Sequence, residues 1–330
     1  MTSRPSLPRR TRGRVVSPGT PPEDLVARAE VVETDNLRWI HIEKPTAVDR
    51  AWLEERFPAF HELDYEDIAS RNQRPKVDEY DDYLFIVLHF PQYDKTVGRL
   101  NGVELDMFIG PDYVITLPND PIQPLSYLFD RCQRKQSARD DLMAKGAGYL
   151  LYKIVDTCVD AAFPMLRKIG NKLERSEEDI FSGPSASTVR DISNAKQEII
   201  NFRKVVRPQR IALKDLERTK RYLIEDQEIY FDDINDASER IWDMLENFKE
   251  VAEALERTNE AMYSHRANDV LLVLTSISVI VLPLTLVASV FGMNVKVPGE
   301  SSIEAFWVIF GLMLVLLIGM VTVFRRRGWL

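Results

Sequence analysis

Polar side chains recur every three or four residues within an apolar segment near the C-terminal end of the chain. Such steps keep to one face of an α-helix, because the helix has 3.6 residues per turn. The positions on this face are Asn268, Leu271, Thr275, Ser278, Leu282, Thr285, Ser289 and Gly292. In a ring of identical helices, these amide and hydroxyl oxygens and leucines would line a narrow pore. The pattern leaves open a monomeric hairpin, in which hydroxyl groups bond to carbonyls of their own helix.

Two long segments near the C-terminal end lack ionisable side chains, residues 270–291 and residues 305–324. Proton-coupled carriers usually hold a titratable group inside the membrane, so this composition favours passive conduction. Mg²⁺ gives up its water reluctantly, and carbonyl or amide oxygens can bind its hydration shell in place of the bare ion. We therefore expect Mg²⁺ as a transported ion, with no organic cofactor and no enzymatic activity.

Both segments are long enough to cross a membrane, since 20 helical residues span about 30 Å. They form a transmembrane hairpin joined by an extracytoplasmic loop, residues 292–304. Basic residues flank the hairpin on one side, His265-Arg266 before it and Arg325-Arg326-Arg327 in the basic end, residues 325–330. The positive-inside rule then places both termini in the cytoplasm and the loop outside. We expect a multi-pass protein of the cytoplasmic (inner) membrane.

A heptad-like series of apolar residues precedes the first span, within a predicted stalk helix at residues 229–269. Its members are Ile234, Ala237, Ile241, Met244, Phe248, Val251, Leu255 and Met262, with Thr258 as the polar exception. No proline or glycine lies between Ile229 and Leu282, so stalk and span are expected to form one helix of about 60 residues. The series indicates contact with identical helices, or alternatively with the helix's own domain.

Residues 25–228 predict an α+β domain with a small sheet flanked by helices and a helical hairpin. Strands are expected at residues 83–90, 103–109 and 113–117, and Asn101-Gly102 predicts a hairpin turn. Helices are expected at 49–57 and 63–70, then from about residue 140 onwards with a kink at Pro164. The segment 181–185 should separate the last part of this helix from another at 187–216.

The net charge is −8, yet residues 1–24 form a basic, proline-containing tail that we expect to be disordered. These N-terminal arginines alone do not predict nucleic-acid binding. Cys132 and Cys158 lie far apart in a cytosolic-type sequence and are expected to be buried free thiols.

Several short motifs together resemble the CorA family of divalent cation transporters. They are Pro283-Leu284-Thr285, Phe291-Gly292-Met293-Asn294, the basic end, Gln73-Arg74-Pro75-Lys76-Val77, Phe85-Ile86-Val87-Leu88 and Tyr93-Asp94-Lys95. Gly-Met-Asn at the outer end of the first of two C-terminal spans is specific for this family. Here Phe291 replaces the family's usual tyrosine, and the outer loop carries Lys296 in place of an acid-rich run.

The resemblance implies a funnel-shaped homopentamer embedded in lipid, in which the first span lines the pore. Gly292, Met293 and Asn294 would form the selectivity filter, with a ring of Asn294 amides at the outer mouth. Thr285 and Asn268 match polar rings of the pore, and Leu282 matches an apolar constriction.

The resemblance also implies regulation by cytoplasmic Mg²⁺ bound between subunits. Asp94 and Asp233 match the carboxylates that hold the channel closed in the family, while Asp232 and Asp236 compete with Asp233 for that role.

Two other functions remain open from the sequence. A zinc transporter of the same superfamily typically carries Gly-Ile-Asn, so Met293 disfavours it, and His41, His61, His89 and His265 lack zinc-ligand spacing. A membrane-anchored scaffold or enzyme would need no polar stripe on its first span, and the sequence shows no glycine-rich phosphate loop or nucleophile elbow.

Overall fold

The computed structural model describes residues 27–70, 73–94, 99–183, 185–219, 222, 228–293 and 302–329. The predicted N-terminal tail, Asn294 and most of the outer loop lie outside these ranges. The chain divides into two compact units. The first comprises Met1–Gly170 and Gln197–Lys249, and the second comprises Asn171–Lys196 and Glu250–Leu330.

A six-stranded mixed sheet forms the centre of the first unit, with the order β1-β2-β6-β5-β4-β3. Its strands are β1 Glu30–Glu33, β2 Arg38–His41, β3 Lys76–Glu79, β4 Leu84–Asp94, β5 Arg99–Ile109 and β6 Tyr113–Pro118. Strands β2 and β6 are parallel, and the other neighbours are antiparallel. The three longer strands confirm the sequence prediction, because their continuous apolar runs are buried on both faces.

The prediction of a hairpin turn at Asn101-Gly102 is wrong. Asn101 pairs with Gln92 and Gly102 with Pro91 inside the β4–β5 ladder, which continues to the pair Asp94 and Arg99. A Cβ atom at Gly102 would stand 3.0 Å from a methyl carbon of Val205. The glycine therefore permits close packing of a helix on the strand, and does not mark a turn.

Helices cover both faces of the sheet. The helices are α1 Ala47–Arg56, α2 Glu62–Ser70, α3 Gln123–Arg134, α4 Gln136–Met143, α5 Ala147–Asp160, α6 Ala162–Ser182, α7 Ala186–Thr219, α8 Glu228–Phe291 and α9 Ile303–Arg326. Leu53 of α1 and Ile68 of α2 pack on Phe85 and Phe108 on one face. On the other face Phe129 of α3 contacts Trp39, with ring centroids 5.0 Å apart. These layers confirm the α+β class.

The helical region divides at Ala161, between α5 and α6. Pro164 lies in the first turn of α6, where its missing N–H removes no helical hydrogen bond, so it does not kink the middle of a longer helix. The break near residue 183 is confirmed, since α6 ends at Ser182 and α7 begins at Ala186. Both cysteines are buried and free.

Helix α8 runs without a break for 64 residues, about 96 Å, and includes the first predicted span. Both α8 and α9 are long and apolar enough to cross a membrane. In α9, no side chain is buried inside the chain, although its sequence is strongly apolar. Lipid or other protein must cover that surface in the assembled protein.

The stalk part of α8 buries one stripe of side chains against its own chain. In the first unit the stripe includes Phe231, Ile234, Ser238, Ile241 and Leu245, and in the second unit Ala252, Leu255 and Asn259. Ion pairs from Arg203 to Glu246 and from Lys196 to Glu256 (2.6 Å) join α7 to α8 within these units. The heptad-like series predicted from the sequence therefore contains both buried and exposed members. Ile234, Ile241 and Leu255 pack within the chain, whereas Val251 is 36% exposed.

Candidate functional site

The polar stripe of the first span lies on an exposed face of α8. Asn268, Thr275, Ser278, Thr285 and Ser289 are all exposed. Leu271 and Leu282, which alternate with them, are 57% and 68% exposed. The eight predicted pore positions, from Asn268 to Gly292, thus lie on one continuous exposed surface of α8. That this surface lines a pore stays a prediction.

Two side chains on the opposite side of the same helical segment are buried. Ser276 is 1% exposed and Ile280 is 6% exposed, the two buried side chains of the described first span. At 100° per residue, they lie roughly opposite the centre of the polar stripe. Packing within the chain therefore uses the other side of α8 and leaves the stripe uncovered.

Two hydroxyl groups of the stripe make hydrogen bonds within their own helix. Ser278 Oγ donates to the carbonyl oxygen of Leu274 at 3.0 Å, and Thr285 Oγ1 donates to that of Val281 at 2.9 Å. Each hydroxyl has one proton, so its remaining capacity is that of an acceptor. Oxygen acceptors without charge can bind the water shell of a cation, or the cation itself.

The described part of the proposed filter contains Gly292 and Met293, both exposed, whereas Asn294 lies outside the described residues. The N–H of Gly292 donates to the carbonyl oxygen of Ala288 at 2.9 Å and so closes the last turn of α8. A Cβ atom on Gly292 would stand 3.0 Å from that same oxygen. Gly292 does not have a positive φ angle. The constraint on this position is therefore the close approach to the Ala288 carbonyl oxygen, and not a left-handed backbone conformation.

The two proposed regulatory carboxylates lie in the first unit. Asp94 is the last residue of β4 and is half-buried, while Asp233 lies in the first turns of α8 and is exposed. No group of three His, Cys, Asp or Glu side chains among the described residues could hold a metal ion within one chain. A site completed by a neighbouring subunit stays a prediction.

Sequence reasoning missed two further carboxylates close to Asp233. Desolvation raises the pKa of Asp160, and the negative charges of Asp156 and Asp233 raise it further. Asp156 and Asp160 are four residues apart and therefore share one face of α5. That spacing was visible in the sequence, but nothing in the sequence placed this face beside α8.

Comparison with known proteins identifies the family. A profile of the family described as "CorA-like Mg2+ transporter protein" matches residues 34–326. The chain is 31% identical over 298 residues to a cobalt/magnesium transport protein CorA of Thermotoga maritima, covering 88% of this chain and 83% of the relative. It is 29% identical to the putative metal ion transporter YfjQ of Bacillus subtilis, covering 91% and 92%.

The fold also matches a solved structure. The complete CorA magnesium transporter of Methanocaldococcus jannaschii superposes with a TM-score of 0.77, at 21% identity, over 89% of this chain and 92% of that one. The known architecture therefore includes the sheet, the long helix and the two apolar C-terminal helical segments of this chain. The chain belongs to the CorA-like Mg²⁺ transporter family, and it is a membrane transport protein and not an enzyme.

Proposed function

We propose that this protein is a homopentameric channel that conducts hydrated divalent cations across the cytoplasmic membrane. Mg²⁺ is the main proposed ion, with Co²⁺ and Ni²⁺ as further candidates. The observation that carries the proposal is a polar stripe that stays exposed along the whole first span, from Asn268 to Ser289. The two buried side chains of the span, Ser276 and Ile280, lie roughly opposite this stripe.

Symmetry would convert this exposed stripe into a pore. Five copies of α8 would place rings of hydroxyl acceptors at Thr275, Ser278, Thr285 and Ser289, with leucine rings between them. Uncharged oxygens would interact with the hydration shell, because removing water from Mg²⁺ is costly. Rings of Leu271 and Leu282 would form apolar constrictions that close the pore by expelling water.

The outer mouth would be formed by Gly292, Met293 and Asn294. An asparagine side chain offers both an acceptor oxygen and donor N–H groups to ordered water. Five such amides could replace part of the outer hydration of the ion and so select for a hydrated cation. Basic side chains at Arg266 and Arg325 favour cytoplasmic termini, which places this mouth outside the cell.

Regulation would come from Mg²⁺ shared between subunits. Asp94 of one subunit and Asp233 of its neighbour would bind the ion, with Asp232 and Asp236 as alternative ligands. A bound cation neutralises repulsion between carboxylates and would stabilise the closed assembly. The ion biases this equilibrium only to the extent that it binds the closed state more tightly than the open state.

The test is ion flux into proteoliposomes that contain the full-length protein, with and without a membrane potential. Asn294→Ala is expected to abolish Mg²⁺ uptake and to leave the oligomer intact. Asn194→Ala is the matched control, because Asn194 is an exposed amide on α7. Wild-type flux in the Asn294 variant would contradict the proposed filter.

The same assay separates the competing functions. Mg²⁺, Co²⁺, Ni²⁺ and Zn²⁺ are compared at equal concentration in the same vesicles. Uptake of Zn²⁺ without uptake of Mg²⁺ would identify a zinc transporter. Lack of flux for all four ions in intact oligomers would instead indicate a scaffold anchored by the hairpin.

A further inference from the structure

A groove between α8 and α9 has an apolar wall and a charged end. Its volume is about 490 Å³, and it is lined by Ile277, Ile280, Val281, Val321 and Arg325. This volume lies within the range of small-molecule pockets, roughly 300–1,000 Å³. Both helices of the groove belong to the second unit.

The end of the chain folds back on the last turn of α9, which includes Arg325. Gly328 has a φ angle of 71°, and the N–H of Trp329 donates to the carbonyl oxygen of Phe324 at 3.0 Å. The Trp329 ring stacks on Phe324 with centroids 5.4 Å apart, and the Arg327 guanidinium lies 6.0 Å from the Trp329 ring. An aromatic side chain is thereby fixed next to the basic cluster.

The basic cluster consists of Arg325, Arg326 and Arg327, and all three side chains are exposed. Within the described part of the chain, none of them has a carboxylate partner. Three neighbouring positive charges without a counterion attract an anion from outside the chain. The arginines stand at the end of a span, where the nearest abundant anions are lipid headgroups.

We propose that an anionic phospholipid of the cytoplasmic leaflet binds in this groove. Its phosphate contacts Arg325 and is attracted by Arg326 and Arg327, and one acyl chain lies along Ile277, Val281 and Val321. Trp329 lies at the headgroup level, where amphipathic rings are enriched. This proposal rests on the membrane placement given above for the two spans.

A second copy of the chain fits the groove less well. Its spans, residues 270–291 and 305–324, contain no acidic side chain. A neighbouring span could cover the apolar wall, but it brings a single adjacent carboxylate, Asp269, against the three arginines of the basic cluster. An anionic phospholipid supplies both the acyl chain and the charge.

The test is native mass spectrometry of the detergent-purified full-length oligomer with added phosphatidylglycerol or phosphatidylcholine. Retention of phosphatidylglycerol, but not of phosphatidylcholine, is expected. Arg325→Gln should weaken binding about fivefold, as one basic side chain near a lipid surface contributes about 1 kcal/mol. Arg218→Gln is the control, because Arg218 is an exposed arginine on α7 with an 80% accessible side chain.

A second variant tests the apolar wall independently of charge. Val281 is 50% exposed, and Val281→Trp would fill the groove. It should reduce phosphatidylglycerol binding about as much as Arg325→Gln does, with the oligomer unchanged. Glycerol phosphate, which carries the headgroup charge but no acyl chain, should not compete.

Three results would overturn the proposal. Equal retention of both lipids would remove the role of charge, and competition by glycerol phosphate would indicate a simple anion site. Disassembly of the oligomer by Val281→Trp without any lipid loss in Arg325→Gln would show that another copy fills the groove. Bound lipid is measured as mass, so wild-type flux in the Asn294 variant, which would contradict the proposed filter, would leave the lipid result unaffected.

Discussion

Ser276 and Ser278 are two residues apart on the same helix, yet Ser276 is buried and Ser278 is exposed. The Ser278 hydroxyl donates to the carbonyl oxygen of Leu274 at 3.0 Å, whereas Ser276 Oγ has no hydrogen-bond partner among the described residues. The chain therefore distinguishes two hydroxyls of identical chemistry by its packing alone. This difference places Ser276 in contacts within the chain and leaves Ser278 exposed, as the proposed pore requires.

We predict that the two serines differ in access to water in the assembled protein. Ser278→Cys should react with a charged, membrane-impermeant thiol reagent added in solution, while Ser276→Cys should not. Labelling is measured by mass shift in proteoliposomes. Cys132 and Cys158 provide a silent background, since burial raises their pKa values to about 11 and about 12 and keeps both thiols protonated.

A contrary pattern of labelling would identify a different lining face. Reaction at Ser276→Cys with protection at Ser278→Cys would place the pore on the side of α8 that the isolated chain buries. Mg²⁺ should slow the reaction at Ser278→Cys if ions and reagent share the same path.

Gly292, which belongs to the proposed filter, gives a second prediction. Gly292→Ala should reduce Mg²⁺ flux by at least tenfold, because the new Cβ would stand 3.0 Å from the Ala288 carbonyl oxygen and displace the end of α8. Gly319→Ala on α9 is the matched control, since a Cβ there meets no atom within 4 Å. Equal flux in both variants would show that the position of the helix end does not govern conduction.

The sequence predicted long elements better than short ones. Helix α8 was predicted because its apolar spacing persists over many turns without proline or glycine. Strands β1, β2 and β3 have four residues each. The sequences of β1, Glu-Val-Val-Glu, and of β3, Lys-Val-Asp-Glu, contain too few apolar residues to predict a strand. Their pairing depends on neighbouring strands distant in sequence, which local patterns do not reveal.

The candidate site shows the same limit. The polar stripe could be predicted from helical periodicity alone. Which side chains of α8 are buried depends on tertiary contacts, so the sequence pattern could not predict them. At Asn101-Gly102 the local turn signal was misleading, because Gly102 serves packing against Val205. Asp156 and Asp160 approach Asp233 only through the contact between α5 and α8.

Assembly through the stalk gives a third prediction. Phe248 is a poor probe of subunit contact, because its ring lies 3.2 Å from the Cβ position of Gly170 in the same chain. Val251→Asp is better, since Val251 is exposed in the single chain and would be buried in an oligomer. We expect a cost of several kcal/mol per chain for burying an unpaired charge, about enough to dissociate the oligomer.

Native mass in detergent measures the effect. Arg257→Asp is the control, because Arg257 is an exposed stalk position on another face of α8. An intact oligomer in Val251→Asp would exclude this face from the subunit interface. A monomeric wild-type protein would contradict the homopentamer itself.

Regulation gives a fourth prediction. In the full-length protein, Mg²⁺ should protect the first unit from protease, and combined Asp94→Asn and Asp233→Asn should shift the protective Mg²⁺ concentration upward by about tenfold or more. The reason is that each proposed shared ion would lose two charged ligands. Proteolysis is followed by band intensity across a Mg²⁺ titration, with Asp141→Asn as an exposed control on α4. An unchanged protection curve would exclude these carboxylates and direct the test to Asp232 and Asp236.

The last prediction concerns Asp106, which lies fully buried on β5. Neither carboxylate oxygen has a hydrogen-bond partner among the residues that the structure describes. Burial raises its pKa well above the ordinary value of 3.8, and the charge of Glu104 raises it further. The folded protein thus binds this proton more tightly than the unfolded chain does.

The sign of the pH effect follows from that difference. Stability from Asp106 is present at low pH and is lost as the pH rises from about 3.8 towards the raised pKa of the folded state. Asp106→Asn removes the titration, so it should raise the thermal midpoint by about 2–4 °C or more at pH 8 and change it little at pH 4. Differential scanning fluorimetry of the full-length protein measures both values, with Asp141→Asn as the exposed control. A midpoint that is lower than wild type at pH 8 would show that the Asp106 carboxylate is ionised and paired in the native protein.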